Sequence, residues 1–413
     1  MAIKLSDVSN VLQKVIMPYI QDNFPKQTIL LDKVKRNAGV TFMNNYFYAA
    51  TRVTRHGGVV ALADDDNKLV SSKTTHGQLR VPVKILTGTF DISKLTIDAT
   101  KTVKGAVENQ LTHQAKTLAS DYARSVNRQF YGDGSGILSQ VLASVSSTTF
   151  TLEVPDGDID DGRAINRFGT INGDVAYDKY LTAGQQIGIG TAAAGTEVIS
   201  SIAGGTVTVS GTVASVADDA IGLVDGGNEG FGTSEIDGLG KAFRPATSGS
   251  YANVARTTFG MTAQYGTTSE ALTLSRMEDK YLSAKEYAQM GDQYAIFVNK
   301  TLYKKYGDIL TSMRRTVKEA DLLGGWTGLE FAVGAGRVGV FLDYDVPDGT
   351  CLIVNLDSLT ITQVSDLDWM EDPSGGALLR KVDYLTYQAT MAWFVNFFCL
   401  APAANGALYQ KTD

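Results

Sequence analysis

The residues able to carry chemistry are few, and their spacing does not suit it. Gly334, Gly336 and Gly339 spell G-x-G-x-x-G, the pattern of a dinucleotide-binding turn. That turn needs a helix after it, so that backbone amides face the pyrophosphate. Here "VGVFLDYDV" follows, a strand pattern, and a tight hairpin turn is the better reading. Asp156, Asp158 and Asp160 open like a calcium loop, but Asp161 stands where that loop needs glycine and Arg167 where it needs a bidentate glutamate. A casual surface cation is the most this spacing supports. His56, His76 and His113 have no cysteine or carboxylate at a ligand spacing and read as solvated or interface residues. Cys351 and Cys399 are the only cysteines, too few for a disulfide scaffold or a cysteine-rich zinc site. There is no G-x-S-x-G elbow and no phosphate loop. The expectation is no catalytic residue, no cofactor and no metal, hence not an enzyme.

The elements around these residues are organised on one stretch, Ser93 to Gly136. Small or apolar residues recur at Val103, Val107, Leu111, Ala115, Leu118, Tyr122, Val126 and Phe130, almost always four apart. That is helical periodicity without an interrupting proline. Asp98, with Ser93 as the rival, is the expected N-cap, and Gly132 the expected left-handed stop. A mean spacing above 3.6 winds the apolar stripe around the helix, so different faces need partners near its two ends. A coiled-coil dimer is the alternative, but its seam alternates threes and fours.

Before this helix, Leu5 to Ile20 suits a short helix ending near Pro18 and Pro25, and "TILLDKV" from Thr28 is a compact anchoring segment. Two strand-like stretches, Tyr46 to Val53 and Leu79 to Phe90, flank a polar middle with Gly57, Gly58 and Asp64 to Asp66, as in a long hairpin-like loop. Such a loop buries little core of its own and is expected to pack on another chain. After the helix, short strands such as "TTFTLEV", "QQIGIG", "EVISSI" and "GTVTVSG" between glycine turns indicate a small all-β unit. From Glu235 the chain turns mixed. Ser275 and Glu278 form a capping-box pattern for a helix reaching about Met290, with Gly291 as its stop. Tyr294 to Val298 reads as a strand, and Asn299 caps a second helix. The strands "LEFAV", "RVGVFLD", "TCLIVNL" and "LTITQV" follow, and Arg380 to Cys399 reads as one long strand. Helices and strands that do not alternate regularly indicate an α+β fold.

Charge narrows the partners. The chain carries a formal −7, and the stretch 137–230 holds three basic against twelve acidic residues, a net −9 that leaves about +2 for the remainder. A protein gripping nucleic acid through phosphates needs a clustered basic face, which this balance does not offer. The N-terminus lacks the pattern of a signal peptide, and the longest apolar run, "MAWFVNFFCLAPAA", is broken by Asn396 and too short to span a bilayer. No membrane is expected, and synthesis in a cytoplasm is.

The order of parts resembles the tailed-phage major capsid proteins of the Hong Kong 97 fold. The resemblance is carried by "NRQFYGDGSG" at the helix end, "EIDGLGKAF" after the β-rich stretch, "GGWTGLEFAVGAGRVGVFLDYDVPDGTCLIVNLDSL" from Gly324, and the tail "YQATMAWFVNFFCLAPAANGAL". It covers about three quarters of the chain and omits the β-rich insert. It implies an N-terminal arm over 1–44, an extended loop over 45–92, a peripheral domain with a spine helix over 93–136 and an inserted β domain over 137–232. The axial domain takes 233–360, and 361–413 supplies returning strands.

The implied function is self-assembly, through hexamers and pentamers, into an icosahedral virion shell around double-stranded DNA, formed in a host cytoplasm. A separate scaffolding protein and a portal are implied partners, since arm-like text begins too near Met1 for a built-in scaffold. The insert is expected on the outer surface, where a decoration protein would bind, and packaged DNA would be touched only non-specifically. Arg52, Arg55, Lys68, Lys73, Arg80 and Lys84, with Asp64, Asp65, Asp66 and Asp91, are expected to set the register of the loop on a neighbouring subunit. Some family members weld this loop through a lysine and an asparagine, and nothing here singles out such a pair. An encapsulin-like or gene-transfer-particle shell is the related alternative. Outside the class stands a β-rich adhesin or carbohydrate-binding protein, which would need the missing signal peptide.

Overall fold

A computed structural model describes residues 28–54, 56–59, 61, 72–95, 104–153, 155, 180–190, 197–223, 235–246, 248–288, 291–312, 319–322, 326–333, 336–371, 377–381 and 384–412, with backbone alone within 104–113 and 312–337. Helix and strand are mixed without regular alternation, as the α+β expectation has it. The helix expected at Leu5 to Ile20, the triplet Asp156–Asp160, Asp64 to Asp66 and the cap Asp98 lie outside the described residues.

The strand Thr386–Cys399 is the hub. Its fourteen residues include neither glycine nor proline and are rich in aromatic and branched side chains, which suit a pleated buried surface. It pairs antiparallel with Lys84–Ser93 along its first ten residues and with Leu359–Gln363 along its last five. Arg380 does not belong to it. Leu379–Arg380 is a separate short strand that folds back on Tyr387 and Gln388, so the long strand begins six residues later than the apolar text suggests.

A seven-stranded sheet forms the second layer, in the order 264–266, 406–408, 351–355, 294–298, 336–342, 326–333, 319–322. Its period-2 alternation divides two cores. Ala295, Phe297, Leu352 and Val354 face the main cluster, shared with the hub strand, while Ile296, Val298, Cys351 and Ile353 face a second one. Helices of residues 274–285 and 300–312 cover that second face. The first is capped by Thr273, whose hydroxyl accepts from the Arg276 amide, and not by Ser275; it ends at Lys285, short of Met290. The second is capped by the Asn299 carbonyl oxygen, which accepts from the Leu302 amide at 3.0 Å, as its sequence indicates.

Residues 137–223 contribute six strands that close into an antiparallel barrel around Leu138, Phe150, Leu152, Ile187, Ile199 and Val207. Its first and last strands, Ile137–Val141 and Ala220–Leu223, were not legible as strands in the sequence, yet they pair and complete the closure. A closed barrel leaves no edge to cover.

The long helix runs Lys104–Tyr131, about 42 Å at about 1.5 Å per residue. From Ala115 onward its described apolar side chains face its own chain, against the sheet edge at Lys84–Ser93 and then the main core. The chain turns helical at Lys94, where the Ser93 hydroxyl accepts from the Leu95 amide at 3.2 Å. Gly132 is not left-handed. The reversal falls on Gly134 and Gly136, with φ of 82° and 76°.

Candidate assembly surfaces and the buried joint behind them

Residues 46–52 and 76–82 form a hairpin. Tyr46–Arg52 and His76–Pro82 pair from Tyr46↔Pro82 to Arg52↔His76, and Thr41–Met43 adds a third strand. The expected strand Leu79 to Phe90 is in fact two, because its halves pair with different strands. Lys84–Ser93 leaves the hairpin and joins the hub strand instead. The base of the hairpin is not free of its own chain, since Phe47, Ala49, Leu79 and Val81 are buried in the main cluster. Asn396, buried in the hub strand, holds that base: its amide donates to the Pro82 carbonyl at 2.6 Å and its oxygen accepts from the Asp237 amide at 3.0 Å. In the sequence Asn396 only marked a break in an apolar run.

The six basic residues expected at a subunit contact are not brought together. Arg52, Lys73 and Arg80 are exposed on the hairpin, and the Arg80 guanidinium lies 4.6 Å from the centre of the Tyr46 ring. Arg55 and Lys68 lie outside the described residues. Lys84 is enclosed by its own chain, at 8% exposure, because the strand that carries it turns that position inward. Asp91 is already paired within the chain, with Lys381 at 3.1 Å.

A different feature of the surface is apolar. Ile85 and Phe394 are directly opposed across the two long strands, and the Val364 amide donates to the Phe394 carbonyl at 3.0 Å. All three point away from the core, at 60%, 37% and 47% exposure, and form a row across the two long strands to the residue just past Leu359–Gln363. Reading residues 391–400 as uniformly buried hides this row. Burial alternates along Lys84–Ser93, but the sequence does not announce it, since the apolar residues Ile85 and Leu86 are adjacent and take opposite faces.

Behind these surfaces the end of the long helix enters a polar joint. Arg128, 2% exposed, is closed on Glu235 by two hydrogen bonds. Burial alone would lower the Arg128 pKa, and the Glu235 carboxylate more than offsets this, holding the guanidinium charged. The Asn127 amide group donates to Asp343 at 3.1 Å and to Asp345 at 2.9 Å, and Tyr131 donates its hydroxyl to Asp343 at 3.0 Å. Tyr180, from the start of the barrel strands' second half, donates to Asp345. Burial, reinforced by the neighbouring carboxylates, pushes both phenols well above their ordinary range, so they remain donors. Gly238 lets the chain pass beneath this helix end: a Cβ there would stand 2.3 Å from the Gln129 carbonyl oxygen and 2.5 Å from that of Phe130. The joint therefore fastens helix, barrel and sheet by charge-assisted bonds of the stronger class.

The residues suspected of chemistry are scattered. Gly336 begins a strand paired with 326–333 and Gly339 lies within it, not before a helix, while Gly334 lies outside the described residues. His56 is exposed and accepts from the Gly58 amide through Nδ1, His76 is exposed at a strand start, and His113 lies on the long helix. Cys351 and Cys399 are free and buried, in different apolar clusters, and burial pushes both thiols up to about 12.

The fold is similar to that of a solved phage capsid subunit. The chain aligns with the solved capsid asymmetric unit of cyanophage A-1(L) over 94% of its own length and 93% of that chain, with a TM-score of 0.53 and 12% identity. It also aligns with the capsid of a native GTA particle, at TM-score 0.45, 12% identity and 92% and 90% coverage, and with the holo-SrpI encapsulin complex of Synechococcus elongatus, at 0.44, 7%, 93% and 87%. No protein-family model matches the chain, and no curated protein matches it.

Proposed function

We propose that this chain is the major capsid protein of a tailed phage, assembling with copies of itself, as hexamers and pentamers, into an icosahedral shell around double-stranded DNA. The observation that carries this reading is the end-to-end likeness to the A-1(L) capsid subunit, which spans nearly the whole of both chains. The exposed row Ile85, Phe394 and Val364 supports it, because a contiguous apolar patch is a place for a partner, and in a self-assembling shell that partner is a second copy. The hairpin with exposed Arg52, Lys73 and Arg80 supplies charged groups that would fix register on the neighbour. Residues 1–44 act as the arm, 137–232 as an inserted domain displayed on the outer surface, where a decoration protein would dock, and 233–360 as the axial domain. Contacts through arms and hairpins adapt to several curvatures while packed domains do not, so a scaffolding protein and a portal set the size.

Negative-stain microscopy of the purified chain is the test. Closed shells and curved sheets of several sizes are expected from the chain alone, and monodisperse monomers would overturn the proposal. Nuclease-resistant DNA in purified particles distinguishes a virion from an enzyme-filled compartment. For the insert, an excised 137–230 fragment is expected to give a dispersed amide spectrum, since the barrel carries its own core. A collapsed spectrum would refute its independence.

A further inference from the structure

A cavity of about 490 Å³ lies beside the joint, between the start of the described chain, the long helix and the segment after the strand 336–342. Asp343, Asp345, Asn127 and Thr28 line it, with Ser120 and Arg124 toward solvent. Two buried oxygens on this lining have no hydrogen-bond partner among the described residues: Oγ1 of Thr28, a residue 2% exposed, and Oδ1 of Asn127, a residue 3% exposed. The Asn127 orientation follows from its bonds, because its nitrogen is committed to the two aspartates and its oxygen is left for something else.

Asp343 raises a second question. It is 7% exposed, and its hydrogen-bond partners are neutral: the Asn127 amide, the Tyr131 hydroxyl and the Asp345 backbone amide. No lysine or arginine pairs with it among the described residues. Arg128 is closed on Glu235, and the Arg124 guanidinium lies over the Tyr180 ring at 5.6 Å. A carboxylate taken out of water needs a counter-charge or a proton.

The donor set is carboxylate, carboxylate, amide oxygen and hydroxyl, all hard oxygens without sulfur or imidazole, which suits magnesium or calcium. The volume exceeds that of a bare ion, so the ion keeps water, as magnesium does when held by one or two carboxylates. We propose that this cavity is a binding site for a hydrated divalent cation, anchored on Asp343 and Asp345 and reaching the Thr28 and Asn127 oxygens directly or through its water. Such an ion would bind three stretches distant in sequence, 28, 120–127 and 342–345, and so stiffen the joint at the helix end.

The probes are MgCl2 and CaCl2, titrated calorimetrically into the full-length chain after chelator treatment, beside thermal unfolding with NaCl at matched ionic strength. One saturable site per chain is expected, with a rise in the unfolding temperature beyond that in NaCl and a loss of affinity of at least about tenfold in D343N. The absence of saturable binding, a shift equal to that in NaCl, or undiminished binding by D343N would each overturn the site. Should D343N fail to fold, D345N is titrated in the same way: a loss of affinity retains the site, and undiminished binding, or no saturable binding by the wild type, refutes it.

Discussion

Replacing the two opposed apolar residues of the outer row, Ile85 and Phe394, by threonine tests whether that row is an assembly contact. Both sit in long strands, where threonine is well tolerated, and both point outward, so the subunit itself should lose little. A partner would lose the apolar surface still open, 60% of Ile85 and 37% of Phe394. At about 2–3 kcal/mol for a fully buried side chain of this size, the two together are worth about 2–3 kcal/mol at each interface. That corresponds to a contact weaker by about 30- to 100-fold. Sedimentation across a concentration series should show the I85T/F394T chain remaining as free subunits where the wild type forms shells. Far-UV circular dichroism and the unfolding midpoint of the free subunit should match the wild type. Shells at the wild-type concentration would show that the row faces solvent in the particle. Loss of the subunit's own fold would show that these residues serve the core, contrary to their exposure.

Three further outcomes are expected. Asn396→Ala leaves the Pro82 carbonyl and the Asp237 amide without their buried partner, at about 1–3 kcal/mol for each, so the urea midpoint of N396A should fall clearly, and an unchanged midpoint would remove Asn396 as the hairpin's anchor. Asp343 has a raised folded pKa, so the folded state binds its proton more tightly than the unfolded state. Its contribution to stability is therefore greatest below the ordinary carboxylate pKa and declines as the pH rises through the window up to the folded value. Wild type minus D343N, measured by denaturant unfolding across that window, should show this slope, and parallel curves would contradict it. Cys351 and Cys399, buried and with thiols pushed up to about 12, should resist a thiol-specific reagent in the folded chain and react fully in denaturant. Rapid labelling of the native protein would place one of them at the surface.

Much of the architecture was legible from local pattern alone. Helical spacing located the long helix, Gly57 and Gly58 marked the polar stretch between the hairpin's strands, and Asn299 announced its helix. These are short-range effects of backbone sterics and capping, settled within a few residues. Boundaries that depend on a distant partner were misplaced. Leu79 to Phe90 divided because its two halves pair with different strands, and Arg380 left the tail strand because it pairs back on Tyr387.

The candidate sites lay almost wholly beyond the sequence. Nothing local distinguishes Phe394, exposed, from Trp393, buried, since the face each takes depends on what covers the sheet. Lys84 looked like a surface charge until its strand turned it inward, and Asn127 meets Asp343 across more than two hundred positions of chain. Residue types and spacing determined which helices, turns and strands this chain forms. Only the tertiary structure decided which polar groups are enclosed together and which apolar ones stay open to a partner, because burial is a property of the neighbours a residue acquires and not of the residue.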